Sequence, residues 1–183
     1  MTSWIGDDCA VLEGTGEQVL LVTSDLMVEG IHFVREGISP ADLGYKLLAV
    51  SLSDIAAMGG EPRDATVSLA VSEEEDVLFV EAIYEGLGSL AAKHAVNIVG
   101  GDTTKSPGPM VLDLTLLGRA HRDGVCLRSG ARPGDLVFVS GTLGDSAAGL
   151  DLVLRGQADS GDSDGTYLVG RHRRPEPRLD LGR

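Results

Sequence analysis

The chain has 183 residues, 43% of them apolar and 23% charged, with 25 glycines and only 4% aromatics. At ~100 to 200 residues per domain, that allows one ordinary domain or one domain and part of a second, and it excludes a fibre or a compositionally disordered chain. Twenty-eight acidic against 15 basic residues give a net charge of -13, which repels a polyanionic backbone and argues against nucleic acid as a partner.

Small phosphorylated ligands stay compatible with this charge, because divalent cations sit between carboxylates and phosphate oxygens. No apolar run approaches the ~20 residues that cross a bilayer. Met1-Thr2-Ser3-Trp4 begins no charged-then-apolar leader, so a soluble cytoplasmic protein with no membrane partner is expected. Cys9 and Cys126 form no C-x-x-C pair and are expected as reduced, structural thiols.

In chain order, Val19 to Thr23 reads as a buried strand. A helix follows, with Ser39 as N-cap, Pro40 at its first position and Gly59-Gly60 as its stop. Thr66 to Val71 is a second strand. Ser72 then caps a second helix, with Glu75 completing a capping box and Val77, Val80, Tyr84, Leu87 and Ala91 as its core stripe. Val96 to Val99 and Met110 to Gly118 are further strands. The order indicates an α+β fold, a mixed α/β layer with helices on one face.

Past residue 127 the texture changes. Ser129 to Asp135 is a turn-rich link, Leu136 to Ser140 a strand, Ser146 to Leu154 a helix and Ala158 to Gly165 a Gly/Ser/Asp loop. Arg171 to Arg183 is basic and is expected to end without a closing element. The predicted organisation is a first domain over residues 1–127 and the beginning of a second, incomplete α/β domain over 128–183.

Acidic residues end or interrupt the apolar segments at Asp7-Asp8, Asp25, Asp54 and Asp102. At ~100° per residue, Asp54 falls with Leu43, Leu47, Val50, Ala57 and Met58 on the apolar side of the first helix, opposite Asp42, Lys46 and Ser53. A carboxylate there is costly unless paired or bound to a metal, and it also meets the negative end of the helix dipole. Asp25 and Asp102 are placed at the carboxyl ends of strands, where ligands of open α/β sheets gather. Oxygen donors of this kind suit Mg2+ shared with substrate phosphates.

Competing motifs fail. There is no P-loop signature, Gly14-Thr15-Gly16 lacks the third glycine of a dinucleotide fingerprint, and His32, His94, His121 and His172 are scattered in a way that argues against zinc. Gly141 to Ser146 fits an anion-binding helix start and a plain strand-to-helix turn equally well.

Five ordered blocks carry a resemblance. They are Ile5 to Leu12 (IGDDCAVL), Thr23 to Phe33 (TSDLMVEGIHF), Asp42 to Gly59 (DLGYKLLAVSLSDIAAMG), Val99 to Thr104 (VGGDTT) and Arg128 to Asp135 (RSGARPGD). From about Trp4 to the end, the chain resembles the thiamine-monophosphate kinase family. That family's superfamily also includes aminoimidazole ribonucleotide synthetase, selenophosphate synthetase and a hydrogenase maturation factor. These sisters share the Asp-bearing helix but not the Glu29 to Phe33 stretch.

The resemblance implies the N-terminal domain of the aminoimidazole ribonucleotide synthetase-like fold, serving Mg/ATP binding and dimerisation, followed by the start of a second domain. It implies ATP-dependent phosphorylation of thiamine phosphate to thiamine diphosphate, with direct transfer and no covalent nucleophile. Carried over by position, Asp8, Thr23, Ser24, Asp25, Asp54 and Asp102 hold Mg2+. Gly101, Asp102, Arg128 and Tyr84 meet the nucleotide, and His32 meets the thiamine substrate. The family pattern also implies a homodimer paired sheet to sheet with the site near its seam. Against the family pattern, the helix that usually precedes the Gly-Asp-Asp block is expected to be missing, Thr23-Ser24-Asp25-Leu26 stands for the usual Ser-Thr-Asp-Thr, and the chain is expected to be truncated before the later Asp-x-Ser-Asp-Gly-Leu block. Two alternatives stand beside this reading: a non-catalytic dimerising fragment of the same fold, or a sister ATP-dependent synthetase.

Overall fold

The computed structural model describes residues 5–158 and 161–183. The expectations drawn from Met1 to Trp4 and from Asp159 and Ser160 lie outside the described residues. Strands β1 (Ala10–Glu13), β2 (Gln18–Val28), β3 (Glu61–Val71), β4 (Asn97–Lys105) and β5 (Val111–His121) form one sheet in the order β1-β2-β5-β3-β4. Among these five strands the β3–β4 pair alone is parallel, joined through helix α2 (Val77–Lys93), as a parallel pair requires a crossover. Helix α1 (Pro40–Ala57) links β2 to β3.

Period-2 alternation decides the faces. Thr23, Leu116 and Ala65 share one register row, and Met27, Leu112 and Leu69 another, all buried beneath the helices. Leu43, Leu47, Leu48, Leu52, Ile55 and Met58 of α1 close over them. The α+β layer with helices on one face is therefore the observed architecture. The two helices approach closely because Gly44 faces the Ile83 carbonyl and Gly86 the Ala41 carbonyl. A Cβ at either would lie within 2 Å of a backbone oxygen.

Helix α1 begins as expected, with the Ser39 hydroxyl accepting from Asp42 N at 3.1 Å, and ends at Gly59, whose φ of +71° suits only glycine well. Ala57, expected on the apolar side, is exposed, because the buried arc centres on Leu48, Leu52 and Ile55. Helix α2 starts four residues later than the capping box predicts. Asp76 accepts from Leu78 N at 3.0 Å and is the true cap, while Ser72 closes a preceding turn on Glu74 N. The core stripe shifts with it to Ile83, Leu87 and Leu90, leaving Val77 68% and Tyr84 38% exposed.

Two strand ends also move. β2 continues through Ser24 and Asp25 to Val28, and β4 through Gly100, Gly101 and Asp102 to Lys105. Asp25 and Asp102 therefore sit inside strands and not at their ends. The glycines did not stop β4, because the ladder with β3 skips Val99 at an irregularity and resumes at Gly100.

Beyond β5, α3 (Asp145–Leu154) confirms the expected helix and packs on α4 (Ser163–Arg173), which occupies part of the expected loop. The strand expected over Leu136 to Ser140 does not form. Val137 and Phe138 are 93% and 83% exposed, and with no neighbouring strand the backbone has nothing to pair with. Regular structure continues into the basic end, where α4 runs to Arg173. Helix α5 (Leu179–Gly182) returns to the first core, burying Leu179 and placing Gly182 against the Ala56 carbonyl. Among the described residues no helix is long and apolar enough to cross a membrane.

Candidate functional site

The C-terminal turns of α1 bring Ser51 and Asp54 down onto β2. Thr23 Oγ1 donates to Asp54 Oδ2 at 2.6 Å, and Ser51 Oγ donates to Asp25 Oδ2 at 2.6 Å. Two carboxylates, one from strand and one from helix, are thus each held by a hydroxyl from the other element. Asp8 arrives from the segment before β1, where Arg128 Nη2 donates to its Oδ1 at 2.5 Å and Arg128 N to Asp7 Oδ1 at 2.8 Å.

The electrostatics tie these residues together. Burial pushes the Asp54 carboxyl above the ordinary range, the Thr23 hydrogen bond opposes this, and the charges of Asp25 and Asp8 push it further up, with Arg128 opposing. Cys9, buried beside them, is pushed up to about 12, first by burial and then by the charges of Asp54, Asp8 and Asp25. Its sulfur is therefore a neutral thiol and no thiolate donor. The free thiols divide: Cys9 is buried and Cys126 exposed.

Ser24 and Asp102 lie on the other face of the sheet. Leu26, Asp113, Ser68 and Asp102 form one register row across β2, β5, β3 and β4, and Ser24 Oγ donates to Asp113 Oδ1 at 2.9 Å. Asp102 is exposed and accepts from its neighbour Thr103 N at 2.9 Å. The structure thus brings Asp8, Thr23, Asp25 and Asp54 together beneath the helices and sets Ser24 and Asp102 beyond them. Among the described residues no three His, Cys, Asp or Glu side chains group closely enough to enclose a metal ion.

Gly101 pairs with Val67 so closely that a Cβ would lie 1.7 Å from the Val67 carbonyl oxygen. Tyr84 borders an open cleft of about 660 Å3 with Val71, Ser72, Glu75 and Val80, and partial burial raises its phenol pKa. His32 is exposed at the tip of the loop after β2, its Nδ1 accepting from Val28 N at 3.0 Å. That bond leaves the ring proton on Nε2, as a donor pointing elsewhere. At the start of α3, the Asp145 carboxylate is engaged by Thr142 and by Tyr167 at 3.0 Å.

Sequence reasoning missed three participants. Ser51 bonds the predicted carboxylate of Asp25, Asp113 accepts from the predicted Ser24 hydroxyl, and Glu29 anchors the His32 loop. Ser51 was legible in principle, since it lies one turn before Asp54 on the helix face; Asp113 needed the register of β5.

Comparison with known proteins places the fold. Residues 6–120 match the family model "AIR synthase related protein, N-terminal domain". The chain is 44% identical over 180 residues to the thiamine-monophosphate kinase of Bacillus subtilis (strain 168), covering 98% of this chain and 55% of that one. A solved structure described as "AaThiL complexed with AMPPCP and TMP" superposes with a TM-score of 0.91 at 39% identity, covering 97% of this chain and 56% of that one. The thiamine monophosphate kinase of Aquifex aeolicus superposes with a TM-score of 0.87 at 37% identity, over 96% of this chain and 57% of that one. The chain therefore spans about half the length of the relatives it matches. With the helix-covered sheet and the converging aspartates falling inside the matched region, the chain belongs to the AIR synthase related family through that family's N-terminal domain.

Proposed function

We propose that the protein carries the N-terminal half of a thiamine-phosphate kinase, in which ATP phosphorylates thiamine phosphate to thiamine diphosphate. The observation that carries this is the half-buried Asp54, held by Thr23 and surrounded by the charges of Asp25 and Asp8. That excess of negative charge suits a site completed by cations and phosphate. The relatives named thiamine-monophosphate kinase and the neighbour bound to AMPPCP and TMP support the choice of substrates.

The donor set fits Mg2+ in one particular way. Mg2+ takes one or two carboxylates, waters and substrate oxygens rather than an all-protein cage, and pairs of oxygen donors without a three-acid cluster match that habit. On the helix side, Asp54 and Asp25 with the Thr23 hydroxyl would hold one ion and Asp8 would share another with phosphate; Ser24 and Asp102, on the opposite face, would serve a separate ion. When bound, Mg2+ supplies charge neutralisation between two phosphate groups.

The remaining work falls to the chain. A terminal phosphate oxygen of thiamine phosphate attacks the γ-phosphorus of ATP, the bond to the β-phosphate oxygen breaks, and ADP leaves; no covalent enzyme intermediate forms. His32 Nε2–H is a donor for a substrate oxygen. Gly101, Asp102, Arg128 and Tyr84 form the nucleotide side, with the Tyr84 cleft receiving apolar ligand surface. Arg128 and Asp8 are already paired, so nucleotide competes with a formed bond there. Residues 1–127 form the Mg/ATP-binding and dimerising domain and 128–183 begin the second, with the matched region ending near β5.

The uncovered sheet face carries Leu26, 52% exposed, next to Ser24 on β2, with Asp102 on the same face three strands away. A homodimer packed on that face buries it and brings those ligands to the seam. A cytoplasmic location accords with this chemistry.

Calorimetric titration with Mg-AMPPCP, and a coupled assay for thiamine diphosphate, test the reading. Binding is expected and is lost in Asp54→Ala with the fold intact. Undiminished binding in that variant overturns the site. If the chain binds nucleotide without turnover, the non-catalytic dimerising fragment is the correct alternative. Turnover of a sister enzyme's substrate instead of thiamine phosphate establishes the synthetase.

A further inference from the structure

Arg35 makes more contacts than its place in a surface loop requires. Its Nη1 and Nη2 donate to the two carboxylate oxygens of Glu75 at 3.0 and 2.8 Å, while Nε and Nη2 donate to Glu29 at 3.1 and 3.4 Å. Its Cζ also lies 4.8 Å from the centre of the Phe79 ring. The Glu75 side chain is only 9% exposed. A planar guanidinium gripping two carboxylates and lying over an aromatic face is a geometry lysine does not reproduce.

The two acids belong to different parts of the fold. Glu29 stands at the start of the His32 loop and is fixed twice to Met110, the residue before β5, with Glu29 N donating to Met110 O at 2.9 Å and Met110 N donating to Glu29 Oε2 at 3.0 Å. Glu75 precedes α2 and borders the Tyr84 cleft. Arg35 therefore closes the loop 29–35 onto its own beginning and bolts the closed ring to the α2 entry.

His32 lies within that ring. Gly30 N donates to Phe33 O at 2.8 Å, His32 N to Val28 O at 2.9 Å and Val28 N to His32 Nδ1 at 3.0 Å. Two of these bonds tie His32 to Val28, the last residue of β2, but none fixes the far side of the loop. Phe33, 6% exposed, and the Arg35 clamp do. Fixing both ends of a short segment removes most of its freedom.

We propose that Arg35 is a positioning residue, which through Glu29 and Glu75 holds the His32 loop so that His32 presents Nε2–H to the substrate. This rests on the reading of His32 as a substrate contact, but the positioning half is measurable without ligand. Preorganisation of this kind raises affinity by removing the ordering cost from the binding step.

The test uses the whole 183-residue chain with Arg35→Met, Arg35→Lys, Glu75→Gln and His32→Ala. Nitrogen-15 spectra of the histidine rings report whether His32 Nδ1 remains an unprotonated acceptor, and amide exchange reports the Val28 bond. Arg35→Met is expected to lose the fixed Nδ1 signature and to speed Val28 exchange by about tenfold or more, an opening shift of ~1.4 kcal/mol. Arg35→Lys restores it only in part, and thermal unfolding stays cooperative. Glu75→Gln, which keeps the shape and removes the charge, moves in the same direction should Arg35→Met fail to fold. An unchanged His32 signature in folded Arg35→Met or Glu75→Gln overturns the proposal.

Titration with thiamine phosphate, in the presence of Mg-AMPPCP, separates the two claims. Weaker binding in both His32→Ala and Arg35→Met, by about tenfold, supports both. Weaker binding in His32→Ala alone overturns the role of Arg35. No change in His32→Ala, or no binding by the parent chain, removes the substrate reading while the ring spectra still decide the positioning.

Discussion

Thr23 Oγ1 reaches Asp54 Oδ2 over 2.6 Å and joins the middle of β2 to the last turn of α1. The acid would otherwise stand against the negative end of the helix dipole with burial adding to the penalty. Folding raises the Asp54 pKa, through burial first and then the charges of Asp25 and Asp8. The folded chain therefore holds this proton more tightly than the unfolded chain. The carboxylate's contribution is unfavourable above its folded pKa and disappears as pH falls below the unfolded value. Asp54→Asn is expected to be more stable than the parent at pH 7 in chelator, with the gap closing towards about pH 3. Thermal unfolding across that range checks it. A gap that stays constant with pH would show that charge is not its origin. Adding Mg2+ is expected to raise the parent's Tm and leave that of the variant unmoved.

The crossing of α1 and α2 sets where Asp54 hangs over the sheet. Gly44→Ala would put a Cβ 1.9 Å from the Ile83 carbonyl oxygen, and Gly86→Ala one 1.8 Å from that of Ala41. The obstacle is backbone on both sides, so the helices must separate. Each substitution is expected to cost ~3 kcal/mol or more, at the upper end for overpacked cores. Urea midpoints measure the cost, and a loss below ~0.5 kcal/mol would mean that the helices slide without resistance.

These examples show what the sequence made legible. Helix α1 could be read to within two residues, because Ser39, Pro40 and Gly59 are local signals that act on the backbone directly. The four-residue error at the start of α2 arose because both Ser72 and Asp76 can cap, and the bond from Leu78 N to Asp76 shows which one does. Asp54 was legible as a misplaced carboxylate, but its partner Thr23 was visible only as a hydroxyl near Asp25. That Asp25 and Asp102 face opposite sides of the sheet follows from the β2-β5-β3-β4 register, a property of long-range pairing that no local pattern encodes.

The segment Leu136 to Val139 has the composition of a strand and no strand beside it. Its four side chains are between 62% and 93% exposed, and apolar β-prone segments in that state pair between molecules. Val137→Lys with Phe138→Ser is expected to lower concentration-dependent light scattering several-fold. Stability should change by no more than ~0.5 kcal/mol, since neither side chain is buried. Scattering that is unaffected would place the self-associating surface elsewhere.

Helix α4 is fastened to the first turn of α1 by its basic end. Arg174 Nε lies 2.7 Å from Asp42 Oδ1 and its Cζ 4.7 Å from the centre of the Tyr45 ring, and Arg173 Nε donates to Gly37 O at 2.6 Å. Arg174 is about half exposed, so solvent screens most of the ion pair, and stacking on Tyr45 supplies the part that salt does not weaken. Arg174→Ala is expected to cost ~1 kcal/mol and to speed amide exchange in α4 more than in α1. Lysine keeps the charge but cannot lie flat on the ring, so Arg174→Lys should recover the low-salt part of the loss and none of the high-salt part. Full recovery by lysine at high salt would mean that the ring contact contributes nothing, and that the docking of α4 rests on Arg173 and the apolar packing behind it.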